Sequence, residues 1–218
     1  MPTDLGGCCT PAAGRSCRPA RLPGNERRLH AWVIGQFARE GRVGIAELRT
    51  AARRFDVDFE QAVARFAQRD LVHLDGGEIA VAYPFSGRPT PHRVWIDGRA
   101  EPVFAMCALD ALGIAPMLNL PVEILSRDPL GGGEVWVRID PGDGAWWEPE
   151  AAVVLDGHSR RGGPSFESCC GAINFFASGE NALAYLLAHP ELDGHAIPLP
   201  EAIEAGAAVF GDLLEEEP

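Results

Sequence analysis

Val103-Phe104-Ala105-Met106-Cys107-Ala108-Leu109-Asp110-Ala111-Leu112 stands near the middle of the chain, between two short strand-like runs. Together with its continuation to Leu118 it predicts one apolar helix, Val103 to Leu118. A helix set between strands makes this half of the chain α+β, a mixed or antiparallel sheet with flanking helices. On such a helix Cys107 and Asp110 are three positions apart, on one face, close enough to share a proton. Cysteine is common inside apolar helices and an aspartate on the rim is commonly solvated, so the segment alone leaves a packing role open.

Outward from this helix, strand-like runs occupy Arg93 to Ile96, Val122 to Ser126, Val135 to Ile139, Ala152 to Leu155 and Ala172 to Phe176. Asp97-Gly98, Gly131-Gly132-Gly133 and Pro141-Gly142-Asp143-Gly144 mark turns between them. Two further helices are expected at Glu180 to Ala188 and Glu201 to Leu214, followed by a solvated Glu215-Glu216-Glu217 end. Trp146-Trp147, expected in a Gly/Pro-rich turn, either caps a sheet edge or covers a site. Ser165-Phe166-Glu167-Ser168-Cys169-Cys170-Gly171 places two thiols in polar sequence just before Asn174-Phe175-Phe176. Core cysteines usually sit inside apolar runs, so this placement suggests accessible thiols.

The N-terminal half reads differently. Asn25 is the expected N-cap of a first helix whose stripe, Leu29, Trp32, Val33, Ile34 and Phe37, stops at Gly41. A second helix fits Ile45 to Arg54. A third starts at Asp58 with Gln61 as its capping partner and is expected to bury Phe59, Val63, Phe66 and Ala67. Leu71 to Ala82 alternates around Gly76-Gly77, which predicts a β-hairpin. Three helices and a hairpin are the layout of a winged helix. Its groove-reading helix would carry Asp58, Glu60 and Asp70 against Arg65 and Arg69, the wrong sign for DNA. The expected division is a disordered Cys-containing leader at 1–24, a winged-helix-like module at 25–83 and an α+β catalytic domain at 84–218.

Composition narrows the function classes. Among 218 residues, 19 are Arg or Lys and 31 are Asp or Glu, a net charge of −12, which argues against nucleic acid and anionic membranes as partners. Every basic residue is arginine, a trait of coding bias rather than of fold. The first 21 residues lack the apolar run of a signal peptide, and a cytoplasmic protein is expected. Six cysteines, Cys8, Cys9, Cys17, Cys107, Cys169 and Cys170, are too sparse for a secreted disulfide scaffold and suit thiols or soft-metal ligands. The histidines are scattered without zinc-site spacing, and no Cys-x-x-Cys, phosphate loop or nucleophile elbow occurs.

Three pieces taken in order carry a resemblance: Tyr83-Pro84 followed by Pro89-Thr90-Pro91-His92-Arg93-Val94; Val103 to Leu112 with its Cys-x-x-Asp; and Ser165-Phe166 with Cys169-Cys170 through Phe175-Phe176-Ala177-Ser178. From about residue 25 to about 214 the chain resembles the organomercurial (alkylmercury) lyase family. The resemblance implies cleavage of R–Hg⁺ to RH and Hg²⁺, with Cys107 as first thiolate, Asp110 as proton shuttle and Cys170 as second thiolate. Cys169 is the alternative when the count runs forward, and Cys170 when it runs back from Phe175-Phe176. Cys107, Cys170, Asp110 and Cys169 are the expected mercury contacts. Thiolates suit this very soft cation. No resident cofactor is implied: mercury is substrate and product, external thiols support turnover, and a mercuric reductase is the expected acceptor of Hg²⁺. Met106 stands where better-known members carry an aromatic residue, and Asn174 where a histidine is common, so the resemblance leaves substrate range open. The leader cysteines match nothing in the family core. The alternative is a family relative without lyase activity, a thiol-based soft-metal binding or sensing protein that uses its winged helix to regulate transcription.

Overall fold

The computed structural model describes residues 22–160 and 165–214. The leader cysteines Cys8, Cys9 and Cys17 and the end at Glu215-Glu216-Glu217 lie outside the described residues.

Helix α1 (Gly24–Glu40) buries Leu29, Val33, Ile34 and Phe37, and it ends where Gly41 adopts φ 74° and donates its N–H to Phe37 O at 2.8 Å. The left-handed geometry of this cap is one that glycine adopts without steric cost. The helix starts before Asn25, with Pro23 as its cap: Pro23 O accepts from Arg27 N at 2.9 Å. Leu22 is already in the core, so the last residues of the segment expected as leader belong to the fold. Helix α2 (Ile45–Arg54) coincides with its expected span. In α3 (Phe59–Gln68) the cap forms as expected, Asp58 Oδ1 accepting from Gln61 N at 2.8 Å. Its buried face is Ala62 and Phe66; Ala67 is exposed, and Phe59 is only half-buried, beneath the Arg49 guanidinium, 3.9 Å from the ring centroid. Val63 is half-buried too, so the helix buries a narrower stripe, two residues four apart on one face, than the expected one.

Strands β1 (Val72–Asp75) and β2 (Glu78–Ala82) form the expected hairpin, with Gly76 at φ 62° and Gly77 at φ 83°. Positive φ at both central residues is what a two-residue turn matching the strand twist demands. From here the chain builds β3 (Phe85–Ser86), β4 (Arg93–Ile96), β5 (Val103–Ala105), helix α4 (Ala108–Leu118), β6 (Val122–Arg127), β7 (Glu134–Asp140), β8 (Gly144–Glu148), β9 (Val153–Ser159), α5 (Ser165–Ser168), β10 (Asn174–Phe176), α6 (Gly179–Ala188), β11 (Leu192–Pro198) and α7 (Leu199–Phe210). The architecture is α+β.

Eight strands form one sheet in the order β1-β2-β3-β5-β4-β6-β7-β8, and all its pairings are antiparallel. The hairpin is therefore the first two strands of the large sheet, joined to it through β3. A second antiparallel sheet has the order β10-β9-β11. Trp146 and Trp147 lie on the edge strand β8 rather than in a turn. Trp147 is half-buried, its indole N–H donating to Glu150 O at 3.3 Å, while Trp146 is exposed, which is the sheet-edge role.

The largest departure from expectation concerns Val103 to Ala105. These residues are a strand, with Phe85 paired to Ala105 on one side and Arg93 to Phe104 on the other. Val and Phe fit a pleated surface, and two ladders satisfy their backbone groups, which outweighs continuation of the helix period. The helix starts only at Ala108. From there to Ala115 every side chain is buried, so α4 is enclosed all round. It crosses α7 at paired glycines. A Cβ on Gly113 would lie 2.3 Å from Phe210 Cδ2, and one on Gly206 would lie 3.0 Å from Gly113 N.

Candidate active site

The strand-to-helix switch sets the first half of the site. Cys107, extended at φ −150°, is the N-cap of α4, and its Sγ accepts the N–H of Asp110 at 3.4 Å. A thiol takes the capping place usual for a hydroxyl or carboxylate and lies over the turn that carries the Asp110 side chain. The expected proximity holds, through a cap rather than through two positions inside one helix.

The second half comes from the short helix α5 and the turn behind it. The N–H groups of Cys169 and Cys170 both donate to Ser165 O at 2.9 Å, and those of Ala172 and Ile173 to Cys169 O at 2.8 and 3.0 Å. Ala108 N then donates to Ile173 O at 3.1 Å, fastening this turn to the start of α4. The Cys170 thiol donates to Asp110 Oδ2 at 3.9 Å. One ligand atom from each of Cys107, Asp110 and Cys170 lies within 4.8 Å of the others, and all three residues are buried. Of the paired cysteines it is Cys170 that joins the cluster. Cys107 and Cys170 bear thiols, whereas Cys169 is fully buried with its Sγ 3.3 Å from Ser168 Oγ, so neither cysteine of the pair is the accessible thiol that its polar sequence suggests. Among the described residues this is the one group of side chains arranged to hold a metal ion.

Burial pushes the Cys107 thiol well above the usual thiol range, and the neighbouring Cys170 and Asp110 push the same way. The helix N-terminus favours a thiolate, but desolvation wins. Burial also pushes the Asp110 carboxyl up to about 7; bonds from the Cys107 and Cys170 thiols counteract that rise, and the charge of Asp70 adds to it. The trio thus rests with its protons on sulfur and a carboxyl poised to exchange one near neutrality. Two soft donors flanking one acid suit a large thiophilic cation better than zinc or magnesium.

The other sequence motifs scaffold this site. Met106, half-buried, donates its N–H to Pro84 O at 3.0 Å, and Thr90 Oγ1 donates to Ala105 O at 2.7 Å, so both approach the end of β5. Asn174 donates to Gly171 O at 3.0 Å and is hydrogen-bonded to His92, whose Nδ1 lies 2.9 Å from Ser126 Oγ. Burial holds the His92 ring down to about 4, hence neutral. Spacing in the sequence does not reveal this chain from β4 to the Cys170 turn. A second feature escaped it altogether: Asp70, just after α3, accepts from Ser165 N at 2.9 Å across 95 residues of sequence.

Residues 85–211, more than half of the chain, match the alkylmercury lyase family. An alkylmercury lyase of Staphylococcus epidermidis is 31% identical over 135 residues, which span 62% of this chain and 61% of that protein. One of Streptomyces lividans is 26% identical over 180 residues, 82% of this chain and 80% of that protein. In fold the chain is similar to the crystal structure of the mercury-bound form of MerB2, with a TM-score of 0.73 over 90% of this chain and 95% of that one, at 24% identity. The matched span contains both thiols of the buried trio, the acid between them and the elements that bring them together, and on that match the chain belongs to the alkylmercury lyase family.

Proposed function

We propose that the protein is an organomercurial lyase that cleaves R–Hg⁺ by protonolysis to RH and Hg²⁺ in mercury detoxification. The observation that carries this reading is the buried trio of Cys107, Asp110 and Cys170 in a chain of this family. The substrate arrives as the adduct of a small thiol. The Cys107 thiol exchanges with that ligand, forming one S–Hg bond and returning the small thiol with its proton. Cys170 then forms the second S–Hg bond while its proton passes to the Asp110 carboxylate. Two thiolates on one mercury weaken the remaining bond to carbon. As that bond breaks its electron pair stays on carbon, and Asp110 delivers the held proton there. Hydrocarbon leaves, and Hg²⁺ stays on two thiolates until external thiols, and through them a mercuric reductase or another thiol carrier, remove it.

The α1 to α3 bundle with the β1-β2 hairpin is, in our reading, a winged-helix-like module in a structural role. Its wing continues into the sheet that carries β5, and its third helix has the wrong charge for a groove, which excludes nucleic acid from the reading. No helix among the described residues is long and apolar enough to cross a membrane, and the reading places the protein in the cytoplasm.

Purified protein given phenylmercury and excess small thiol is expected to release benzene, detected in the headspace. Binding of the mercurial without any hydrocarbon over many hours would establish a soft-metal binding protein instead.

A further inference from the structure

We propose that Asp70 is a positioning residue for the second thiol: it anchors the segment Ser165–Cys170 to the helical module, so that the module sets how Cys170 closes on mercury held by Cys107. The inference rests on the lyase reading for its purpose, and its geometry stands apart from that reading. Asp70 follows α3 in a left-handed conformation, φ 56°, fixed by its N–H donating to Ala67 O at 3.1 Å. One carboxylate oxygen accepts from Ser165 N at 2.9 Å, and the other is 2.6 Å from His73 Nε2. The His73 ring packs 4.8 Å from the centroid of Phe166 and edge-on to Tyr83 at 6.5 Å. A carboxylate and a ring from the module thus grip two consecutive residues of the thiol segment.

The grip is transmitted over one short path. Ser165, held through its N–H by Asp70, uses its own carbonyl to accept from both Cys169 N and Cys170 N. A loosened Ser165 releases the turn that aims the Cys170 sulfur. The carboxylate suits the task because burial, which pushes it up, is more than offset by its bonds from His73 and Ser165, which hold it below the usual range and therefore charged. A charge-assisted acceptor restrains a backbone N–H about twice as strongly as a neutral one.

The test uses HgCl₂ alone on the full chain, so that no carbon-mercury bond needs to break. Parent, Asp70→Ala and Asp70→Asn are compared by sulfur-to-mercury coordination number from X-ray absorption and by alkylation rates of Cys107 and Cys170 read by mass spectrometry. Asp70→Ala is expected to hold mercury through one protein thiolate instead of two and to raise Cys170 alkylation roughly ten- to a hundredfold, the size of a lost charge-assisted bond, with Cys107 unchanged. Asp70→Asn, which keeps an acceptor for Ser165 N, should recover most of the parent behaviour. If Asp70→Ala does not fold, Ser165→Pro removes the same donor at a first helical position, where proline is tolerated, and should give the same pattern. Two-thiolate binding retained by the alanine variant, equal loosening of both cysteines, or an asparagine variant no better than alanine overturns the proposal. Benzene release by the parent is scored separately, so failure of the lyase reading is told apart from failure of the clamp.

Discussion

At the scale of single residues, the site is governed by where three protons rest. Asp110, raised to about 7 inside the protein against a usual 3.8, binds a proton in the folded chain that the unfolded chain has lost between pH 4 and pH 7. The sign follows from linkage: the raised carboxyl contributes stability in full below pH 4 and loses it as pH rises through 7. Asp110→Asn carries no such slope, so in melts across this range its stability should overtake the parent's, the gap reaching about 2–4 kcal/mol above pH 7. The same variant should still capture phenylmercury on sulfur, while single-turnover benzene release falls by roughly 10²- to 10⁴-fold, the usual worth of a positioned acid. Benzene release at the parent rate would remove Asp110 from the chemistry. For the paired cysteines, Cys170→Ser should abolish turnover and Cys169→Ser only slow it, since Cys170 alone reaches Asp110. The opposite ranking in a benzene assay would move the second thiol to Cys169.

At the scale of elements, the crossing of α4 and α7 holds the Cys107 cap in place. Backbone meets backbone there because Gly113 and Gly206 face one another, with Phe210 closing over Gly113. Gly113→Ala gains helix propensity worth about 1 kcal/mol but drives a methyl into a ring with no space to yield. Overpacking of this kind costs about 1–3 kcal/mol and wins, so a lower melting temperature is expected. Because α4 begins at the capping thiol, the variant should also slow mercurial capture measured on folded protein. A melt equal to the parent's would mean that α7 shifts freely and that the crossing does not tension the site.

At the scale of the whole molecule, one antiparallel sheet runs from the N-terminal hairpin to the strands around the site, so damage to the module should reach the thiols. Leu22 is buried in the shared core and Pro23 caps α1. Removal of residues 1–24 should therefore lower stability by about 1–3 kcal/mol relative to removal of residues 1–21, the cost of one buried leucine and a helix start. Equal denaturation midpoints for the two truncations would show that Leu22 contributes nothing. Local signals determined much of this architecture. Gly41 and Asp58 end and start helices, Gly76-Gly77 turns the hairpin, and Arg93 to Ile96 alternates as a strand, because caps, turns and periodicity act over a few residues and are written in them. The Cys-x-x-Asp spacing likewise put thiol and acid together without knowledge of the fold. Long-range pairing decided the rest. Val103 to Ala105 became a strand because β3 and β4 stand on either side of it, which no local pattern records. Cys170 rather than Cys169 meets Asp110 because the turn closed on Ser165 O, fastened to the start of α4 through Ile173 O, directs the Cys170 sulfur to that carboxyl. Asp70 reaches that turn across 95 residues of sequence, and such a contact is fixed by tertiary packing, where neither residue carries a mark of its partner.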